Sequence, residues 1–266
     1  MRLAMPAVRF PSFRYVFGAI GLYLLFLIVT APAWLVVSML PKFAPFPIVI
    51  QDSRGSLWRG EFSVVSATLP TGQKLQFDRL QWRLQPWRLL RAELAAALEF
   101  NGPQLQGKGI IGKGVLSGVK LHDVTISAPA GLLLMAMPAL EIWKPSGTLD
   151  VSSADFTYAG PGSAGKANIV WKQAALALSP VKPLGEYSLA VDAKDSGLNY
   201  QLATVSGALQ LEGKGRWAAN AAPTFLGSAR AQPNYATQLA DLLRLLGTPD
   251  SSGAVPLRYQ PPGAAQ

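Results

Sequence analysis

The stretch YSLAVDAKDSGLNYQLATV, residues 187–205, decides the fold class. Apolar side chains occupy every second position from Tyr187 to Ala193, and again from Leu198 to Leu202. Alternation with a period of two is typical of a β-strand with one apolar face. The segment DSG (195–197) lies between the two halves and favours a tight turn. The stretch therefore predicts two neighbouring antiparallel strands.

The same pattern recurs along the chain. It is present in LQFDRLQWRL (75–84), where a shift in register separates Leu75 and Phe77 from the later apolar positions, and in VKLHDVTI (119–126) and GALQLEGKG (207–215). Clusters of glycine, proline, asparagine and aspartate bound these segments. Short strands joined by tight turns form antiparallel meanders. We therefore expect a mainly β fold built on a long antiparallel sheet.

Three stretches have helical character. Residues 86–98 fit either a helix that begins near Pro86 or a turn followed by a strand, and the second interpretation is favoured. Residues 129–140 predict one or two short helical turns. Residues 234–247 predict the best helix, because leucines share one face and Gly247 provides a stop.

The N-terminal region predicts a membrane anchor. No charged residue occurs in 15–40, and a bilayer core requires about 20 apolar helical residues. The arginines in 1–14 place that segment in the cytoplasm by the positive-inside tendency. The alternative is a cleaved signal peptide, because APA (31–33) resembles a cleavage site. Either way, the chain after a proline-rich linker (41–54) is expected on the other side of the membrane.

Composition excludes several kinds of site. The chain has no cysteine, so neither disulfides nor thiolate chemistry can occur, and its one histidine, His122, disfavours a histidine-based metal site.

The net charge is +9, but lysine and arginine are scattered singly, which favours a solvated basic face over a nucleic-acid site. Anionic lipid headgroups or an acidic protein surface are the alternatives. GKGIIGKG (107–114) lacks the spacing of a phosphate-binding loop. We expect no enzyme, no cofactor and no metal.

Two halves of the chain echo each other. GSLW at 55 is matched by GTLD at 147, and LQGKG at 105 by LEGKG at 211, which predicts a duplication of 55–127 as 147–217. Duplicated sheets lying side by side would form one long curved sheet with a shared apolar face. With one clear helix to cover it, that face is expected to leave a groove or an interaction surface. The domain would span 55–247, followed by a disordered tail, 248–266.

Short motifs in a fixed order carry a family resemblance. They are RGSLWRGEF (54–62), LQWRLQPWRLL (80–90), SGTLDV (146–151) and a later segment around LGEYSLAV (184–191). In this order they resemble protein N of the bacterial type II secretion system, over residues 15–247. The matched positions, for which we expect structural roles, are Gly55, Leu57, Trp58, Gly60, Trp82, Pro86, Gly147, Trp171 and Gly185.

This resemblance implies an inner-membrane, largely periplasmic component of the machine that exports folded proteins across the outer membrane. It implies other type II secretion components and inner-membrane lipid as partners, and it transfers no catalytic residue. A weaker resemblance to AsmA-like envelope proteins implies the alternative, a module that binds or transfers lipid in a β-sheet groove.

Overall fold

A computed structural model describes residues 13–36, 38, 48–68, 74–114, 118–159, 162–194, 197–218 and 222–259. In these residues the chain forms one antiparallel sheet of 13 strands whose order follows the sequence. The strands are β1 (Ile48–Gly55), β2 (Arg59–Thr68), β3 (Lys74–Leu84), β4 (Glu93–Asn101), β5 (Gln106–Gly114), β6 (Val119–Pro129), β7 (Ser146–Tyr158), β8 (Ala164–Ala175), β9 (Gly185–Lys194), β10 (Gly197–Gly207), β11 (Leu209–Ala218), β12 (Thr224–Ala231) and β13 (Val255–Tyr259). The mainly β, antiparallel prediction is confirmed.

The sheet has two ends with different coverings. Neighbouring strands run in opposite directions, so every odd-numbered strand finishes at the same end as β1, here called the Gly55 end. The opposite end, where β9 begins, is called the Gly185 end. The N-terminal segment and the turn before β4 lie at the Gly55 end, whereas the later helices lie at the Gly185 end.

Helices occupy the ends of the sheet. They are α1 (Phe13–Val29), α2 (Leu133–Ala136), α3 (Ala236–Leu246) and the 3₁₀ segments Pro86–Arg91, Ala130–Leu132, Pro138–Glu141 and Pro233–Tyr235. The favoured turn-then-strand interpretation of 86–98 is confirmed, as are short helical turns in 129–140 and a helix in 234–247. Among the described residues, no helix is both long enough and apolar enough to cross a membrane.

Three apolar clusters form the core. The largest lies at the Gly185 end, where Leu239, Leu242 and Leu243 of α3 pack with Leu209 and Val255. The second surrounds Leu105 and Ala128 at the same end, beneath β4 to β6. The third lies at the Gly55 end and contains Ala33, Phe62 and Trp82.

The N-terminal helix differs from the predicted anchor, 15–40. It ends at Val29, and the chain then turns at Thr30. Pro32 has no N–H with which to continue the helix, and it forms an isolated β-bridge with Ser56. Ala31 and Ala33 are buried against the sheet because their small side chains let the two backbones approach closely. The predicted span is therefore interrupted at 30–33, and helical conformation returns at 34–36 and 38.

The sheet also extends beyond the predicted domain, 55–247, at both ends. Residues 48–54, assigned by sequence to the linker, belong to β1, and Ile50 packs on the cluster around Trp82. Residues 255–259, assigned to a disordered tail, form β13, and Val255 is fully buried beneath α3. Pro256 obscured this strand in the sequence, yet a proline is tolerated in an edge strand. The predictions for 1–12, 41–47 and 260–266 lie outside the described residues.

The two pairs of repeated motifs are separated by different numbers of strands. GSLW runs from the last residue of β1 into the turn before β2, and GTLD lies in β7, so the first pair is five strands apart when counted from β2. LQGKG and LEGKG fall at β5 and β11, six strands apart. An odd offset in an antiparallel sheet puts equivalent residues at opposite ends, and an even offset puts them at the same end. No single offset relates both pairs, and duplication of the whole unit stays a prediction.

Candidate functional site

The turn GSLW (55–58) joins the N-terminal segment to the sheet. The backbone N–H of Leu57 donates to the carbonyl of Ala31 at 2.7 Å, and the N–H of Ala33 donates to the carbonyl of Gly55 at 3.2 Å. Gly55 has φ +100°, in the left-handed region that favours glycine, and a Cβ there would meet the carbonyl oxygen of Arg59 at 2.4 Å. The glycine therefore allows the tight connection that presents residues 56–58 to the incoming segment.

Trp58 ties this turn to the end of α1. Its indole Nε1–H donates to the carbonyl of Ile28 at 2.9 Å. The last four carbonyls of a helix have no partner within the helix, so an outside donor is needed to satisfy them. Trp58 is thus a side-chain link between the last turn of α1 and the first turn of the sheet. We call the contacts of residues 28–33 with 55–58 the Trp58 joint.

Trp82 supports the joint from below. Its indole Nε1–H donates to the carbonyl of Leu57 at 3.0 Å, and the ring is only 6% exposed. It packs on Phe62 with ring centroids 4.4 Å apart. Gly60 leaves room for the indole, because a Cβ there would lie 2.3 Å from the ring. The backbone N–H of Leu84 donates to the carbonyl of Trp58 at 2.8 Å, which fixes the turn from a second direction.

A buried carboxylate holds the next turn against the sheet. Glu93 is 7% exposed, and its oxygens lie 3.0 Å from Arg88 and 3.4 Å from Lys120. Burial pushes the pKa of Glu93 upward, but hydrogen bonds and charge attraction from Arg88 and Lys120 together outweigh it and leave the pKa below its ordinary value. The 3₁₀ segment that begins at Pro86 is therefore fastened to both β4 and β6.

A second tryptophan arrangement lies at the Gly185 end. The indole Nε1–H of Trp171 donates to the carbonyl of Ser146 at 3.0 Å, and its ring lies 6.0 Å from that of Tyr187. Tyr187 is 3% exposed and donates its hydroxyl to the carbonyl of Leu209 at 2.9 Å, and burial raises its pKa. Gly147 (φ +105°) and Gly185 accommodate close backbone approaches.

One apolar face continues across the strands between these regions. Strand pairing puts these residues on the same face: Leu149, Val151, Ile169, Trp171, Tyr187, Leu189, Val191, Leu202, Tyr200, Leu211, Ala229 and Val255. Most of those in the middle strands are half-buried, whereas α3 covers the strands near β12 and β13. A groove of 1130 Å³ crosses these middle strands, and it is lined by Val124, Val191 and Tyr200 together with many polar and charged residues, among them Lys108, Asp123 and Lys214.

The opposite face carries charge. Lys172 lies 2.8 Å from Asp150, and Lys166 lies 4.0 Å from Asp192. Hydrogen bonds from Lys172 and Ser127 lower the pKa of Asp150. His122 pairs with Asp155 at the surface. Within the described ranges, no group of three or more histidine or acidic side chains could hold a metal ion.

The structure brings some predicted motif residues together and separates others. Gly55, Leu57 and Trp58 lie in the Trp58 joint, Trp82 and Gly60 adjoin it, and Pro86 opens the neighbouring 3₁₀ segment. A second group, Gly147, Trp171 and Gly185, lies at the other end of the sheet.

Sequence reasoning missed the contribution of Ala31 and Ala33, because both lie in what reads as an uninterrupted apolar span. The one local signal was Pro32, which interrupts helical hydrogen bonding. It also missed the hydroxyl anchor of Tyr187, since alternation shows which face a side chain takes but not what its polar atom meets.

The comparisons with known proteins agree over nearly the whole sheet. A family model described as Type II secretion system (T2SS), protein N matches residues 47–258, from just before β1 into β13. The type II secretion system protein N of Aeromonas hydrophila is 31% identical over 245 residues, which cover 90% of this chain and 93% of that protein. No solved structure matches significantly. The chain therefore belongs to the type II secretion system protein N family.

Proposed function

We propose that this component of the type II secretion system is anchored in the inner membrane by its N-terminal segment and holds its sheet in the periplasm. There it supports the export of folded proteins across the outer membrane, together with other type II secretion components. The observation that carries the proposal is the Trp58 joint, because it fastens an apolar helix to the sheet through defined hydrogen bonds.

The surface of α1 supports a lipid environment. Its large apolar side chains are exposed on every side, among them Phe17, Leu22, Leu25, Phe26 and Val29. A helix that is apolar all round is stable only where something apolar surrounds it. Arg2 and Arg9, which precede it, and Arg14 in its first turn favour a cytoplasmic N-terminus. The sheet, which follows the C-terminal end of α1, would then lie in the periplasm.

Reporter fusions test the topology. A reporter active only in the periplasm, fused after residue 259, should be active, and one active only in the cytoplasm should be inactive. The chain should stay with the membrane fraction after alkaline extraction. Release into the soluble fraction would contradict the anchor, and the opposite reporter pattern would contradict the periplasmic placement.

An export assay tests the role. A strain that lacks this protein and keeps its other secretion components should export less of its secreted proteins, and the wild-type chain should restore export. Trp58→Phe removes the donor to Ile28 and should restore export only in part, whereas Trp217→Phe at an exposed position should restore it fully. Normal export without the protein would contradict the proposal.

A lipid-binding groove is a second candidate, favoured by one observation. The middle of the apolar face is half-buried beside an open groove. The comparisons give this candidate no support. It predicts that phospholipid copurifies with the chain in excess of the lipid around α1, and that Val191→Asp removes this excess. Equal lipid content in both proteins would contradict it.

A further inference from the structure

The 3₁₀ segment at the Gly55 end carries apolar side chains that the sheet does not cover. Trp87 is 59% exposed, Leu89 49%, Leu90 91% and, just after the segment, Leu94 58%. We call these four residues the Leu90 rim. No residue of Pro86–Arg91 is buried. A cluster of this kind on an otherwise polar surface indicates an interaction site.

The rim is held in place rather than loosely attached. Arg88 pairs with the buried Glu93 at 3.0 Å, and the N–H of Gln85 donates to the carbonyl of Ala95 at 2.9 Å. Ala92 adopts the left-handed conformation and closes the segment. The backbone therefore fixes the direction in which Leu90 projects, and the exposure follows from the fold.

The rim lies close to the C-terminal end of α1. Trp58 is hydrogen-bonded to Ile28 on one side and to Leu84 on the other. Pro86 follows Leu84 by two residues, so its Cα lies within about 7 Å of that of Leu84, at roughly 3.5 Å per extended residue. Whatever surface receives the end of α1 therefore lies within reach of the rim.

The charges around the rim fit a lipid surface. Arg59, Arg83 and Arg91 are exposed, and none has an ion-pair partner in the part of the chain that the structure describes. Tryptophan and leucine beside unpaired arginine is the composition of segments that lie at the bilayer interface, where the rings and aliphatic chains enter lipid and the cations meet headgroup phosphates. Trp34, 59% exposed, adds a further ring in the segment after α1.

We propose that the Leu90 rim inserts into the interface of the same membrane that receives α1. The sheet is then held at two points, the Trp58 joint and the rim, and cannot swing about the joint alone. This inference rests on the membrane anchor proposed above, and it adds a second contact and a fixed orientation of the sheet.

Fluorescence quenching tests the rim directly. The chain has no cysteine, so single substitutions label one position each. An environment-sensitive dye is placed at Leu90→Cys, at Phe26→Cys in α1, and at Gln104→Cys, which lies across the length of β4, about 30 Å from the rim at 3.3 Å per residue. The full chain is reconstituted into vesicles of zwitterionic and anionic phospholipid, with or without a lipid-borne quencher.

We expect the quencher to remove most of the fluorescence at Leu90→Cys and Phe26→Cys, and little at Gln104→Cys. Quenching at Phe26→Cys without quenching at Leu90→Cys would overturn the rim contact and leave the anchor standing. Absence of quenching at both would overturn the anchor and the rim together. In cells, crosslinking from position 90 to a protein rather than to lipid would also overturn the proposal. Circular dichroism of Leu90→Cys, Phe26→Cys and Gln104→Cys checks that folding is retained.

Discussion

Trp82 and Trp171 use the same hydrogen bond at opposite ends of the sheet. Each indole donates at 3.0 Å to a backbone carbonyl 25 residues earlier in the chain. Their coverings differ: the segment containing Ala33 packs over Trp82, whereas Trp171 is half-buried beside Tyr187. Their cross-strand neighbours differ as well, since Gly60 faces Trp82 and Leu149 faces Trp171.

The same indole-to-carbonyl hydrogen bond therefore has a different structural role at each end of the sheet. At the Gly55 end, Gly60 leaves room for the indole of Trp82 beneath the segment that follows α1, so this tryptophan joins two parts of the molecule. At the Gly185 end, Leu149 and Tyr187 fill the space, so the tryptophan stabilises the sheet itself.

Removal of the buried indole should have the largest effect. Trp82→Ala is expected to lower the free energy of unfolding by about 3–5 kcal/mol, because a fully packed aromatic side chain is replaced by a cavity. The loss should also free the Leu57 carbonyl and loosen the Trp58 joint. Denaturant unfolding in detergent measures the first effect, and proteolysis between residues 28 and 58 measures the second.

Trp171→Ala is the comparison for that experiment. It should lower stability less, because Trp171 is only half-buried, and it should leave proteolysis near residue 28 unchanged. Increased cleavage there in both variants would show that the two tryptophans do not have separate roles.

The two cross-strand neighbours should be sensitive to opposite changes in side-chain size. An added methyl group should destabilise the protein at Gly60, and a shortened side chain should do so at Leu149. Gly60→Ala forces a methyl group against the Trp82 ring and should cost about 1–3 kcal/mol of stability. Adding the same methyl group at Gly18 should cost none, since a Cβ there meets nothing within 4 Å. At the other end, it is truncation of Leu149 that should destabilise. Tolerance of Gly60→Ala would mean that the indole can move without loss.

Alkaline pH should destabilise the Gly185 end through Tyr187, although burial also raises the pKa of Tyr200 in β10. Burial raises the pKa of Tyr187 above its ordinary value of 10.0, so the folded state favours the neutral hydroxyl. Its contribution is therefore complete below pH 10 and is lost as the pH rises toward the raised pKa. Phe62, beside Trp82, does not titrate. Tyr187→Phe should cost about 1 kcal/mol at neutral pH and make unfolding less steeply pH-dependent above pH 10. An unchanged pH profile would contradict this assignment.

The smallest effect is expected at the surface pair Asp150–Lys172. The pKa of Asp150 is lowered by the hydrogen bonds from Lys172 and Ser127, so this stabilisation is present above the ordinary aspartate pKa of 3.8 and disappears as the pH falls. Lys172→Met should slightly reduce the free energy of unfolding at neutral pH and make it less dependent on pH under acidic conditions. High salt should reduce the difference between the variant and the wild type. A large loss of stability would show that the pair does more than a surface ion pair usually does.

Sequence patterns predicted the strands well wherever one face is apolar. Alternation in 75–84 and 187–193 corresponds to β3 and β9, and the leucine periodicity of 234–247 corresponds to α3. The family motifs were also found in the sequence, because glycine and tryptophan positions are easy to recognise.

What escaped prediction depends on contacts between distant segments. β1 and β13 are edge strands whose stability comes from Ile50 and Val255 packing on residues far along the chain. The end of α1 depends on Pro32 meeting Ser56, and the two tryptophans were assigned no hydrogen-bond partner because periodicity does not identify one. The Leu90 rim likewise reads as part of an apolar strand or helix until the fold leaves it exposed.

The order of the strands has a consequence for how the molecule is made. Every strand pairs with its immediate predecessor, so no segment must wait for a distant partner before it can form backbone hydrogen bonds. Each new hairpin can add to the growing edge as the polypeptide emerges during synthesis. The closure of the Trp58 joint requires only the first three strands, so the attachment of α1 can be completed before the C-terminal half of the chain exists.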